Sequence, residues 1–168
     1  MAGQQNASLD RGAIARWAGP GLFQTRIDVR GVEIPADEPI EAGGNGSGPT
    51  PYELLSAALA TCTLMTLRMY ASHKGWELPP FTVEVTHEIV PGGADQRPRD
   101  LFRRHIAFET APDPERYGKM LEIAEKCPVH RTLMRGFEIR TELGVLEDRP
   151  RGELATRHEH EMERACAE

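Results

Sequence analysis

Two cysteines are the residues of this chain whose type and position best suit chemistry. Cys62 lies midway along a long apolar helical pattern, and Cys127 lies in the segment KCPVHRTL, between the end of one helical pattern and the start of another. The two cysteines are 65 positions apart, so only tertiary folding can bring them together. If folding does so, the pair can cycle between two thiols and a disulfide, as in a thiol redox protein.

The local surroundings of the two cysteines favour different thiol pKa values. Cys62 shares a helical face with apolar side chains, where desolvation raises the pKa of a thiol and keeps it inert. Pro128 at a helix start would make Cys127 the N-cap, where free backbone amides and the helix dipole favour a thiolate. Three cationic side chains lie near it in the sequence: Lys126, His130 and Arg131. Local reasoning therefore selects Cys127 as the more acidic thiol.

To act as a nucleophile, Cys62 would require a positively charged partner or hydrogen-bond donors from another element. The sequence offers four arginines with no local reason to prefer one of them: Arg16, Arg26, Arg30 and Arg68. A denser basic cluster runs from Arg97 to His105, and we interpret it as a solvated loop and strand face rather than an anion site.

Composition limits the class of protein. The chain has 168 residues and no run of 18 or more apolar positions, so we expect one soluble domain with its own core and no membrane span. The opening MAGQQNASLD has neither the basic start nor the apolar stretch of a secretory signal, which predicts a cytoplasmic protein with reduced thiols. The net charge of -6 argues against a nucleic-acid partner.

The elements that must position the cysteines begin with short strands. Alternating patterns predict strands over residues 13–18, 23–29 and 32–34, followed by a long Gly- and Pro-rich loop that we expect to be mobile or ligand-facing. Thr50 as cap, Pro51 at the first position and Glu53 in a capping box then mark a helix start. The pattern continues to Gly75, which gives a helix of about 24 residues, or roughly 36 Å.

The remainder of the chain predicts two more strands, a helix and a last strand. Residues 81–90 and 101–110 alternate like an antiparallel pair, and Asp113-Pro114 opens a helix that we expect to run through Lys126. Residues 137–143 are predicted as the last strand. The order of elements makes this an α+β domain.

The segment after Gly144 differs from the rest in composition. It is rich in charges of both signs and poor in apolar residues, which predicts a solvated extension. His158 and His160 alternate with glutamates, but side chains two apart on a helix point away from each other, so we expect no metal site. Cys166 is expected to be exposed and without a role in folding.

Two segments, GPTPYELLSAALATCTLMTLRMYASHKGW and EKCPVHRTL, resemble the OsmC/Ohr family of osmotically inducible and organic hydroperoxide resistance proteins. The resemblance spans most of residues 12–143, which we take as an OsmC-like domain between an N-terminal segment 1–11 and a charged extension 144–168. It implies an OsmC-like α+β fold in which antiparallel sheets wrap around long central helices in an intertwined homodimer.

The resemblance also implies an activity, that of a cysteine-based hydroperoxide reductase acting in oxidative stress without a cofactor or metal. In the family the helix cysteine is peroxidatic, which makes Cys62 the residue that becomes a sulfenic acid and Cys127 the residue that condenses with it to a disulfide. A dithiol reductant such as a dihydrolipoyl group restores both thiols. This assignment reverses the local ranking of the two cysteines.

One position departs from the family pattern. Peroxidase members carry a glutamate ten residues before the helix cysteine, hydrogen-bonded to the activating arginine, and this chain has Tyr52 there. Glu53, one residue later, and Arg26, from the early strand region, are the candidates for these supporting roles. The substitution also motivates an alternative hypothesis, a non-catalytic redox-sensing or small-ligand-binding protein with the same scaffold.

Overall fold

The computed structural model of the chain describes residues 12–92, 97–111 and 113–144. The described residues form two compact units, one of residues 12–51 with 140–144 and one within residues 52–139. The predictions for the N-terminal segment 1–11 and for His158, His160 and Cys166 lie outside the described residues.

The first unit contains a three-stranded antiparallel sheet. Its strands are β1 (Ile14–Trp17), β2 (Thr25–Val29) and β3 (Val32–Ala36), which confirms the three strands predicted from alternation. Arg30 and Gly31 join β2 to β3, and both have positive φ, 56° and 83°. Two consecutive residues with positive φ match the twist of the flanking strands, as in tight two-residue hairpins.

The loop after β3 is organised around a buried carboxylate. Asp37 is 2% exposed, and its Oδ2 accepts hydrogen bonds from the amides of Asn45 (3.1 Å) and Ser47 (3.2 Å) and from the Ser47 hydroxyl (2.8 Å). Burial alone raises the pKa of Asp37, but these bonds and one from the Glu38 amide outweigh it and hold the pKa below its usual value. A short 3-10 helix, Ile40–Ala42, lies within the loop.

The second unit is built on the long helix α1, Pro51–His73, whose predicted start is confirmed. The helix ends as predicted at Gly75, which has a left-handed φ of 64°. The Trp76 amide donates to the Ala71 carbonyl (2.8 Å) and the Gly75 amide to the Ser72 carbonyl (3.1 Å). This pair of bonds satisfies carbonyls that a helix end would otherwise leave without partners.

By length and composition α1 could cross a membrane, with a mean hydropathy of 1.3, yet the core helices of soluble proteins meet the same criteria. One face of α1 is buried within the unit, which is the arrangement of a core helix. The buried residues recur at helical spacing: Ser56, Leu59, Cys62, Thr63, Thr66, Leu67, Tyr70 and Ala71.

The remaining elements cover this face of α1. Strands β4 (Phe81–Val90) and β5 (Arg99–Phe108) form an antiparallel pair, and two helices follow, α2 (Pro114–Glu125) and α3 (Pro128–Arg135). Asp113 caps α2 by accepting a hydrogen bond from the Arg116 amide, 3.0 Å. The apolar core between α1 and α2 comprises Leu67, Tyr70, Ala71, Met120, Ile123 and Ala124.

The strand predicted over residues 137–143 is wrong. The structure assigns no strand to this segment, and the two side chains that suggested alternation, Phe137 and Ile139, are 64% and 76% exposed. Strand propensity largely reflects packing against neighbouring strands, and within the described residues this segment pairs with none. The helix expected through Lys126 ends one residue earlier, at Glu125.

Candidate thiol site

The fold brings Cys62 and Cys127 together. Both are free thiols, 6% and 0% exposed respectively, and they belong to one buried cluster with Leu59. Each side chain shifts the pKa of the other, so the two thiols are within interaction distance. The partly buried apolar residues packed against the cluster are Val85, Phe102, Val129 and Leu133. Two thiols in direct contact can form a disulfide without a large rearrangement of the chain.

Cys127 lies at the junction between α2 and α3. Its amide donates to the Ala124 carbonyl (3.3 Å), and its carbonyl accepts from the Arg131 amide (3.0 Å). Cys127 is the N-cap of α3, and Pro128 occupies the first turn, as the sequence predicted. Since the first amides of a helix have no partner within it, they are available to a thiolate at this position.

Cys62 lies on the buried face of α1, which it shares with two threonines. The Thr66 hydroxyl donates to the Cys62 carbonyl (2.8 Å), and the Thr63 hydroxyl donates to the Leu59 carbonyl (2.8 Å). Each hydroxyl has a single proton. In these conformations that proton is committed to the helix backbone, so neither threonine can donate it to a sulfur.

An arginine that the sequence analysis missed lies beside the thiols. Arg104, on β5, donates from Nη1 to the Thr63 hydroxyl oxygen (3.1 Å) and to the Ala124 carbonyl (2.9 Å). Burial lowers the pKa of Arg104, but the electrostatic attraction of Cys127, and then of Glu125, opposes this effect. The guanidinium is therefore close enough to Cys127 for the two charges to interact.

The interpretation of the basic cluster as a solvated face was wrong for Arg104. Residues two apart in a strand point to the same face, and the residues two before and two after Arg104 are Phe102 and Ile106. Both pack against the buried clusters of this unit. The alternation that identified the strand therefore also contained the signal that Arg104 faces inward.

The two thiols have opposite pKa shifts. The interaction with Cys62 lowers the pKa of Cys127, and the amides of His130 and Val129 act in the same direction. The same interaction between the thiols, together with burial, raises the pKa of Cys62. The structure thus agrees with the local ranking from sequence, in which Cys127 is the more acidic thiol.

An aromatic stack forms at position 52, where the sequence analysis expected the family's glutamate to be replaced. The Tyr52 ring stacks on His87 with centroids 4.1 Å apart and planes 6° apart. His87 Nε2 lies 2.7 Å from Asp100 Oδ1, and the imidazole ring also contacts Phe102, with centroids 4.8 Å apart. Because Phe102 packs against the thiol cluster, the stack borders the site without placing a carboxylate at position 52.

The two predicted supporting residues lie in different units. Glu53 is exposed in the first turn of α1. Arg26, on β2, forms an ion pair with Glu33 at 3.1 Å, and its side chain is 59% exposed.

In the described part of the chain, no three His, Cys, Asp or Glu side chains are grouped in a way that could hold a metal ion.

Known proteins provide an independent comparison. A family model described as OsmC-like protein matches residues 44–142. No curated protein matches the sequence. A proposed osmotic stress induced and detoxification response protein from Psychrobacter arcticus 273-4 has a similar structure, with a TM-score of 0.58 and 24% identity over 70% of this chain and 85% of that chain.

Two further solved structures share the fold. An organic hydroperoxide resistance protein OsmC from Legionella pneumophila has a TM-score of 0.55 and 18% identity, covering 73% of this chain and 88% of that chain. The organic hydroperoxide resistance protein OhrB of Bacillus subtilis has a TM-score of 0.54 and 19% identity, covering 72% and 87%. The OsmC-like α+β fold predicted from the two cysteine segments is therefore confirmed.

Proposed function

Because this chain belongs to the OsmC-like protein family, we propose that it is a cysteine-based hydroperoxide reductase, with residues 12–143 as its functional domain. The observation that carries the proposal is that Cys62 and Cys127, two free thiols from distant parts of the sequence, lie in one buried cluster and shift each other's pKa. The neighbouring Arg104 guanidinium also supports the proposal, because a positive charge beside a thiol favours the reactive thiolate.

The proposed reaction uses both cysteines and no cofactor. Cys62 Sγ attacks the terminal oxygen of a hydroperoxide, the O–O bond breaks, an alcohol leaves, and Cys62 becomes a sulfenic acid. Cys127 Sγ then displaces water from that sulfenic acid, which forms the Cys62–Cys127 disulfide. A dithiol such as a dihydrolipoyl group reduces the disulfide by exchange and completes the cycle.

The lining of the site favours an organic substrate. The side chains packed around the thiols are aliphatic or aromatic, as in Val85, Phe102 and Leu133. An alkyl or aryl group gains free energy on leaving water for such surroundings, whereas hydrogen peroxide has no apolar part to bury. Glu53 and Arg26 remain candidates for a supporting role in this reaction.

The proposal is tested by counting thiols. The reduced protein, in a Cys166→Ser background that removes the thiol of the C-terminal extension, is mixed with stoichiometric cumene hydroperoxide. We expect both remaining thiols to disappear within seconds, because the sulfenic acid has a partner in contact. Retention of both thiols over many minutes would instead support the non-catalytic alternative, which the Tyr52–His87 stack at the glutamate position favours.

We further propose that the protein is a cytoplasmic homodimer. A face of α1 is uncovered within its own unit although it consists mainly of small and apolar side chains, among them Ala57, Ala58, Thr61 and Met65. A second copy can cover this face and bury that area. Light scattering should give twice the mass of the chain, and a folded monomer would contradict the proposal.

A further inference from the structure

We propose that the protein binds an organic monocarboxylate with an alkyl chain in a cavity separate from the two thiols. The cavity has a volume of about 550 Å³ and lies between the C-terminal half of α1 and the segment that leads into β4. None of the described residues that line it belongs to the cluster around Cys62 and Cys127. The inference therefore goes beyond the proposed reductase, and its test uses no peroxide.

One wall of the cavity is apolar and fixed in place. It is formed by the segment between α1 and β4, from which Trp76, Leu78 and Phe81 also pack against the apolar core between α1 and α2. Two consecutive prolines separate Leu78 from Phe81, and each proline ring fixes its φ at about −65°. Because the core and the prolines hold this wall, the cavity is open before a ligand arrives, as small-molecule sites usually are.

Trp76 gives this wall a rigid aromatic surface. Its ring meets the Tyr70 ring edge to face, with centroids 5.6 Å apart and planes 81° apart. The Arg116 guanidinium, from α2, lies 5.3 Å from the centroid of the Trp76 ring. The indole is thus held by side chains of α1 and α2 while it also lines the cavity. A ligand in the cavity changes the surroundings of this indole, which makes Trp76 a fluorescence reporter of binding.

The α1 side of the cavity contributes a positive charge and a hydroxyl. Arg68 and Ser72 both line the cavity, and both are exposed. They are four positions apart, so their side chains are neighbours on one face of the helix. Among the described residues, no carboxylate is paired with Arg68. A guanidinium binds a carboxylate through two parallel N–H···O hydrogen bonds, so Arg68 offers such a group a partner at the cavity.

These features select the class of ligand. One guanidinium and one hydroxyl match a single carboxylate, whereas a phosphate monoester carries a charge of about −1.5 to −2 and requires more donors. The apolar wall matches an alkyl chain, which gains free energy on leaving water. The cavity also falls within the range of about 300–1,000 Å³ that is usual for small-molecule sites. A free organic acid therefore fits both sides of the cavity at once.

The binding test uses the fluorescence of Trp76. In a Trp17→Phe background, Trp76 is the single tryptophan of the chain. This protein is titrated with octanoate and, separately, with octanol, which has the same alkyl chain and no charge. We expect both compounds to change the Trp76 emission, with octanoate binding about tenfold tighter or more, the scale of one charge-assisted interaction. Equal affinities would overturn the proposal. An emission that neither compound changes would also overturn it, and is expected if a side chain of a second copy fills the cavity.

Variants of Arg68 in the same background test the anchor. Arg68→Met should remove the preference for octanoate and leave the binding of octanol in place, and Arg68→Lys should keep part of the preference because it keeps the charge. The matched control is Arg103→Met, at a position on β5 that does not line the cavity, and it should bind both compounds as the background protein does. Equal affinity of Arg68→Met and Arg103→Met for octanoate would overturn the proposal. So would a loss of both compounds in Arg68→Met that Arg68→Lys does not restore.

Discussion

Replacing Cys62 with serine should abolish peroxide reduction, lowering the rate of cumene hydroperoxide consumption by roughly three orders of magnitude or more. A serine hydroxyl in the same buried position is far less acidic than a thiol and cannot carry the oxidised sulfur of a sulfenic acid. The rate is followed in the presence of dihydrolipoamide, which lets the wild-type protein turn over repeatedly. The same variant, mixed once with peroxide, should keep the Cys127 thiol intact.

The matched control for this variant is Cys166→Ser. It removes a cysteine of the charged extension and should leave the rate of peroxide consumption unchanged. A Cys62→Ser protein that still lost its Cys127 thiol to peroxide at the wild-type rate would show that Cys127 attacks directly. The assignment of the peroxidatic role to the α1 cysteine would then be wrong.

Replacing Arg104 with methionine should slow the first oxidation step by roughly tenfold to a hundredfold at neutral pH, the scale of one lost charge-assisted interaction. Methionine keeps an unbranched stem but removes the positive charge beside Cys127 and the bonds to Thr63 and Ala124. The pKa of Cys127 should rise, so less of the pair is ionised at neutral pH. The defect should therefore shrink as the pH is raised through about 8.5, the ordinary range of a thiol.

The neighbouring arginine provides a matched control. Arg103 is adjacent in β5 but faces the other side of the sheet, where it is ion-paired with Glu88 and its side chain is 66% exposed. Arg103→Met should leave both the rate and its pH dependence unaltered. Arg104→Lys should recover part of the rate, since it restores the charge without the fixed fork of the guanidinium. Equal behaviour of Arg104→Met and Arg103→Met would exclude the role given to Arg104.

The elements that depend on local signals could be predicted from sequence. The start of α1 at Pro51, its end at Gly75 and the N-cap position of Cys127 each follow from residues that satisfy or terminate a helix within one turn. The paired strands β4 and β5 likewise follow from alternation. The strand predicted over residues 137–143 is wrong because alternation alone cannot show whether a neighbouring strand is present to pair with it.

The candidate site could be predicted only in part. The resemblance identified both cysteines, and local reasoning ranked Cys127 as the more acidic, in agreement with the shifts in the folded protein. Arg104 was not among the arginines predicted to support Cys62, because those predictions considered only residues of the first strands and of α1. Arg104 lies in a run of basic residues, and only its inward position on β5 distinguishes it from Arg103.

Apart from residues 137–143, the sequence by itself determined which segments become helices and strands and which residues are capable of redox chemistry, since these properties depend on side-chain type and on spacing within a few residues. Tertiary structure alone decided that Cys62 of α1 packs in one cluster with Cys127 at the start of α3, and that a guanidinium from β5 reaches both Thr63 and Ala124. Such contacts join residues 20 to 65 positions apart. Their geometry is fixed by how apolar faces pack against one another, and a linear pattern does not specify that packing.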